Sequence, residues 1–308
     1  MNTRKVLLAS ILMVSIGIFP SFSQSEQEDN ASNSQSEKDG NAASLAKELA
    51  NPNATRGQLF NNFDYVRYDG NVPNAGQNGF VYSFQPSLPV PLSEGVNLFV
   101  RPLIPIYLSQ PVIGTDGFEN VTSFGNISVD VAVGKTWPSK WMTLVGVFAG
   151  FPTAGNEELR SNFTTMGPEI VVGKATSWGF VGIMVNHAWS ISSNDPDPES
   201  FTILSDSFWT NTAGREKASV TAGQYFYTVN LKNGWQIQGT PTWAYNHEGT
   251  DGNKFTFPIG TGVTKVSHFG KLPIKFNLQY WYYVASPDSF GPQQQIRLSI
   301  VPVINLPW

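Results

Sequence analysis

The sequence predicts an all-β fold, an antiparallel transmembrane β-barrel of about twelve strands with a short N-terminal helix. Three observations lead there. From about residue 56 the chain is a series of segments of roughly ten or more residues rich in Val, Ile, Phe, Tyr and Thr, each ended by Gly, Pro, Asn, Asp or Ser. The connections alternate in length, long and then short, as a barrel with both chain ends on the periplasmic side of a membrane requires. Charged residues make up 14% of the chain and aromatics 13%, whereas soluble domains average roughly 25% charged.

The first residues are set apart from the fold. Arg4 and Lys5 precede an apolar run from Val6 to Phe19 that breaks at Pro20, with Ser21 and Ser23 as small residues before Gln24. That pattern is a secretory signal peptide over residues 1–23, too short for the roughly 20 apolar residues of a membrane-spanning helix. Residues 24–42 are polar and acidic, with Glu26, Glu28, Asp29, Glu37 and Asp39, and read as a disordered linker. In segment 43–55 a short helix is expected over Ala43–Ala50. Leu45 and Leu49 lie one turn apart in it, and Asn51-Pro52 supplies the stop. This helix could plug a lumen or lie in the periplasm. The barrel is expected over 56–308.

The strands are placed near Gln58–Tyr68, Gly79–Leu88, Val96–Leu108, Val121–Thr136, Trp141–Phe151 and Gly167–Ala175. The others fall near Trp178–Ser190, Lys217–Leu231, Gly234–Asn246, Lys254–Val266, Leu272–Ala285 and Gln295–Trp308. The short joins are Leu92–Gly95, Trp137–Lys140, Thr176-Ser177, Lys232-Asn233 and His268–Lys271. The longer, polar ones are Asp69–Gln77, Ser109–Asn120, Pro152–Thr165, Ile191–Glu216, His247–Asn253 and Ser286–Gln294, and they should face outward from the cell.

Side chains alternate across a strand, so a barrel in lipid carries an apolar and a polar set offset by one residue. Ile296, Leu298, Ile300, Pro302, Ile304 and Leu306 oppose Arg297, Ser299 and Asn305, and Val96, Leu98, Val100, Ile104 and Ile106 oppose Arg101. Likewise Val129, Val131 and Val133 oppose Ser128 and Asp130, and Ile274, Phe276, Leu278 and Tyr280 oppose Lys275, Asn277 and Gln279. A charge on the lipid face costs roughly 2–4 kcal/mol at the bilayer centre. Asp64, Arg101, Asp130, Glu169, Lys275 and Arg297 are therefore expected in the lumen, with Asp130 beside Arg101 and Arg297 beside Asp64 across the closing seam. They either fill and rigidify the lumen or select what passes.

Trp137, Trp141, Trp178, Trp235 and Trp308 are expected in an aromatic girdle at the periplasmic interface, and Trp189, Trp243, Tyr245, Tyr282 and Tyr283 in the outer one. Nothing points to an enzyme. The absence of Cys removes a lipoprotein anchor, a disulfide framework, a thiol nucleophile and a cysteine metal site. His187, His247 and His268 are the three histidines and suggest no metal centre. His187 and Ser190 fall on opposite faces of one strand, so only a serine on a neighbouring strand could complete a hydrolase pair with His187. Phosphate loops and helical zinc motifs are absent, and no cofactor is expected. The sequons at Asn53, Asn120, Asn126 and Asn162 would need a eukaryotic secretory route. With 19 basic and 23 acidic residues and no basic cluster, nothing favours nucleic acid.

Several stretches carry a resemblance. They are Leu45-Ala-Lys-Glu-Leu-Ala-Asn-Pro52, Phe99-Val-Arg-Pro-Leu-Ile-Pro105, Trp178-Gly-Phe-Val-Gly-Ile-Met-Val-Asn-His-Ala-Trp-Ser190, Phe257-Pro-Ile-Gly260 with Lys265, and Gly270-Lys-Leu-Pro273. Ser286-Pro-Asp288 with Gly291-Pro292 and Arg297 completes the set. Together they resemble a group of bacterial outer-membrane proteins labelled as transporters and related to outer-membrane proteins of the phenol meta-cleavage pathway. The resemblance implies a twelve-stranded-type barrel that passes hydrophobic or aromatic compounds. The chain departs from that pattern in its long acidic leader and in Gln293-Gln-Gln295, where the family carries a Trp-containing stretch. No binding residue is carried over.

The expected function is an outer-membrane channel, porin-like, for passive uptake of small hydrophobic or aromatic molecules. Its partners would be outer-membrane lipid, a small solute, and the barrel assembly machinery through the Trp308 strand. Two alternatives are a surface adhesion protein that binds through loop 191–216 with the barrel as anchor, and a barrel lipid hydrolase.

Overall fold

A computed structural model describes residues 41–114, 116–193 and 217–308. The signal-peptide expectation, nearly all of the acidic linker and most of loop 191–216 lie outside these residues. The helix, α1, covers residues 41–49 and so begins two residues before the expected start. Fourteen strand segments follow. They are β1 Gly57–Asp69, β2 Gln77–Ser93, β3 Val96–Gly114, β4 Gly117–Phe124, β5 Ser128–Thr136, β6 Trp141–Gly150 and β7 Phe163–Ala175. After these come β8 Gly179–Ser193, β9 Ser219–Asn230, β10 Trp235–Gly239, β11 Thr242–Asn246, β12 Phe255–Phe269, β13 Leu272–Ala285 and β14 Gly291–Ile304.

The segments form twelve staves of a closed antiparallel barrel. β4 and β5 share one stave against β3, and β10 and β11 share another between β9 and β12. Closure comes from the pairing of β1 with β14. No helix among the described residues is long and apolar enough to cross a membrane.

Two expectations about connections need correction. Ser109–Asn120 is no loop, because β3 runs on to Gly114 and pairs with β4 in an extension that stands above the wall. The stretch Gly234–Asn246 is broken at Thr240-Pro241, since proline has no N–H to give a ladder. Short turns are built as expected. Asn233 (φ 54°) and Gly234 (φ 72°) take the two successive left-handed positions that a tight hairpin between β9 and β10 needs.

The alternating faces follow the sequence pattern. Val145, Val147, Ile170, Ile183, Leu278, Ile296 and Leu298 are exposed around the outside, while Asn62, Ser83, Asn277, Gln279 and Ser299 are buried within. Trp137, Trp141, Trp178, Trp235 and Trp308 are exposed near the short turns, and Trp189, Tyr245 and Tyr282 near the other end. Tyr283 is a correction. It follows Tyr282 directly and so points the opposite way, into the lumen, where its hydroxyl donates to Gln295 Oε1 at 2.6 Å.

At the Thr240-Pro241 break, part of β12 loses its ladder partner on one side. Two side chains of β9 make up the loss: Tyr225 donates to the carbonyl of Pro258 at 3.0 Å and Tyr227 to that of Gly260 at 3.1 Å. A backbone acceptor left unpaired in hydrocarbon is costly. Tyr227→Phe is expected to lower unfolding stability by about 1–3 kcal/mol, read by urea unfolding in lipid vesicles; no change would mean that water already serves this carbonyl.

Candidate functional site in the barrel lumen

The lumen is a chain of cavities. The chamber at the long-loop end has a volume of 250 Å³ and is lined in part by six aromatic residues, Tyr68, Tyr107, Phe148, Trp281, Tyr283 and Phe290. The strand extension packs behind this lining, its Phe118 lying 4.7 Å from Phe290 between ring centroids, with Phe290 in turn stacked on Tyr68 at 5.2 Å. The next chamber inward has a volume of 160 Å³. Asn62, Gln85, Arg101, Met184, Gln224 and Arg297 line both, and so form the waist between them.

Two ion-pair clusters stand at this waist. Arg297 donates through Nε and Nη2 to the two oxygens of Asp64 at 2.7 and 2.8 Å, a forked geometry that fixes both side chains. The guanidinium also stacks over Trp281, 4.6 Å from its ring centroid. Register explains the pair, because Asp64 of β1 lies directly opposite Arg297 of β14. Arg101 and Asp130 are likewise opposite on β3 and β5, with Arg101 Nη2 3.1 Å from Asp130 Oδ2. The same nitrogen lies 3.5 Å from Glu169 Oε1 and 3.8 Å from Met184 Sδ, so the Arg101 side chain reaches into the lumen to meet groups carried by β5, β7 and β8.

Of the six charged residues expected in the lumen, all sit on inward positions, but they are not equivalent. Glu169 has a fully covered side chain and lines neither chamber. Gly146 stands opposite it on β6, where a Cβ would collide with Ala132. Lys275 is 5% exposed and lines the inner chamber away from both ion-pair clusters. Alternation found these positions; the grouping of Glu169 with Arg101 across two intervening staves could not be read from neighbouring strands alone.

The floor of the inner chamber is α1 and the residues after it. Leu45, Ala46 and Leu49 pack on Val266 and Val303, and Gln236 donates to the carbonyl of Ala46 at 2.9 Å. Asn53 reaches the opposite wall, donating to Thr136 Oγ1 at 2.8 Å and to the carbonyl of Gly95 at 3.1 Å. Ala50 packs against an apolar cluster that includes Phe99, Met142 and Phe180. It also lines both the inner chamber and a third cavity of 520 Å³ among the short turns.

A serine does approach His187 from the neighbouring strand: Ser219 Oγ is 3.4 Å from Nε2. The other ring nitrogen lies 2.7 Å from Thr221 Oγ1, which in turn is 2.8 Å from His247 Nε2. A hydroxyl thus stands where the nucleophile–base motif uses a carboxylate to orient and charge-stabilise the imidazole. No metal-binding group of three or more His, Asp or Glu exists among the described residues.

Comparison with solved structures decides the fold. An outer membrane channel from Pseudomonas putida F1 matches over 81% of this chain and 94% of that one, at 14% identity and a TM-score of 0.56. The chain shares its closed antiparallel β-barrel fold with that channel. The NanC porin also matches, over 80% of this chain and 100% of that one, at 11% identity and a TM-score of 0.48. No family model and no curated protein matches the sequence. The barrel fold therefore rests on strand pairing and on the solved channel, and its function on its own lumen.

Proposed function

We propose that this protein is an outer-membrane channel for passive uptake of small molecules with an apolar or aromatic body. The observation that carries this reading is the succession of cavities along the barrel, divided at a six-residue waist and again at Ala50. Water-filled or solute-filled space inside a closed wall is what diffusion needs, and no nucleotide motif supplies another motive force. Six aromatic side chains in the first chamber offer ring faces to an apolar solute. Polar side chains at the waist keep a path for the solute's polar atoms.

On this reading the leader is a cleaved signal peptide, the short-turn end faces the periplasm, and the strand before Trp308 meets the barrel assembly machinery. The segment from α1 to Asn53 restricts the periplasmic mouth.

The test is single-channel recording of the refolded chain in planar bilayers with benzyl alcohol added on the long-loop side. Small, stable open steps that benzyl alcohol reduces are expected. The ion-pair clusters at the waist carry two Arg and three carboxylates, and Lys275 brings the six inward residues to an even balance. A cation-to-anion permeability ratio within about threefold of unity is therefore expected from reversal potentials; a strongly selective pore would mean that part of this set is neutralised. A folded barrel that never conducts would sink the channel reading.

A further inference from the structure

The inner chamber has an electrostatic asymmetry that the waist does not. Its lining includes Arg101, Lys275 and Arg297 and not one carboxylate, because Asp64 and Asp130 face the chamber on the other side of the waist. Arg101 and Arg297 are held by those carboxylates. Lys275 has no hydrogen bond or ion pair among the described residues. The register shows why: its neighbours across both ladders are Val266 of β12 and Val301 of β14, each fully buried. Two positions along the same ladder, the inward Asn277 and Ser299 are engaged elsewhere, Asn277 with Thr264 at 2.6 Å and Ser299 with Asn62 at 2.7 Å. A second orphan lines the same chamber, since the buried Oε1 of Gln58 also lacks a partner.

A buried ammonium without a counter-charge is expensive, and a wall that keeps one has a use for it. Facing the polar side of the chamber is an apolar one, with Ala50, Leu144, Val171 and Phe226. At 160 Å³ the space is below the roughly 300–1,000 Å³ of pockets for drug-sized ligands, which limits an occupant to about one ring. One cation with few free donors suits a monoanion and not a phosphate, which needs several donors at once.

We infer that the inner chamber is a binding site for a small monocarboxylate with an apolar body, such as an aromatic acid. Its carboxylate pairs with Lys275 Nζ and its ring lies on the wall formed by Leu144, Val171 and Phe226. The assignment deepens the channel reading and rests on it for its physiological sense, since a solute halted between waist and floor is a solute in transit.

Benzoate and benzamide, which share size and ring and differ in charge, are the probes. Binding to the full chain folded in detergent is measured by calorimetry, and Lys275→Met, which keeps the aliphatic stem, is compared with the parent. Benzoate is expected to bind the parent more tightly than benzamide. Lys275→Met should weaken benzoate by about tenfold or more and leave benzamide unchanged. Removing a lone buried charge favours folding of the variant, and the benzoate–benzamide difference in the parent stands without any variant. Absence of benzoate binding, equal affinity for the two probes, or equal benzoate affinity in parent and variant would overturn the assignment. Planar-bilayer recording of the same preparation keeps the two readings apart. Benzoate binding in a barrel that never conducts removes the channel and leaves the site, and conduction without benzoate binding does the reverse.

Discussion

Arg297→Met is expected to cost about 3–5 kcal/mol of unfolding stability, the largest loss of any single change considered, because it strands Asp64 as an uncompensated buried charge. The Asp64 side chain is 7% exposed, and both its oxygens are taken by the guanidinium. Gln295 Nε2 donates to Asp64 as well, at 2.9 Å, and Tyr283 donates to Gln295, so the loss spreads into a network. The measurement is urea unfolding in lipid vesicles. Asp64→Asn combined with Arg297→Met should recover most of the stability, since the pair is then replaced by neutral groups. A loss below about 1 kcal/mol, the range of exposed ion pairs, would mean that water reaches the carboxylate freely.

Deleting residues 24–53 is expected to enlarge the open conductance several-fold while leaving the barrel folded. The wall itself starts at Gly57, so no ladder is lost. What goes is the packing of Leu45 and Leu49 on Val266 and Val303, the contacts of Asn53 with Gly95 and Thr136, and the Ala50 partition. The inner chamber would then open directly among the short turns. Single-channel steps of unchanged size from the truncated, folded barrel would show that current bypasses this segment.

Much of the wall was legible because alternation is a local property. Ile296 outward, Arg297 inward and Leu298 outward can be read from three letters, and the same period placed Lys275 and Asp130. Even the Arg101–Asp130 and Asp64–Arg297 pairs followed once neighbouring staves were matched. Illegible features were those that depend on reach across staves or on breaks in the period. Arg101 on β3 meets Met184 on β8 with three staves between them, which no pairing of neighbours reveals. Ser109–Asn120 looks like a polar loop, yet it is partly strand, because an extension standing clear of lipid needs no apolar face. Tyr283 was assigned with Tyr282 by residue type, although parity already separated them. The floor under the inner chamber depends on how α1 meets Val266 and Val303, residues more than two hundred positions away, and helix periodicity says nothing of that.

The Asp64–Arg297 pair joins residues 233 positions apart, on the first and last staves. Its partner thus does not exist until the whole wall has been assembled. If the sheet closed one stave early, β13 would have to meet β1, and the residue of β13 level with Arg297 is Gln279, an uncharged side chain. Asp64 would then be sealed in without a cation. The seam therefore opposes early closure twice: β13 runs parallel to β1, against the antiparallel ladders of the rest of the wall, and it would set Gln279 where Asp64 meets a cation, so an eleven-stave cylinder is the unfavourable product and the twelve-stave one the stable product.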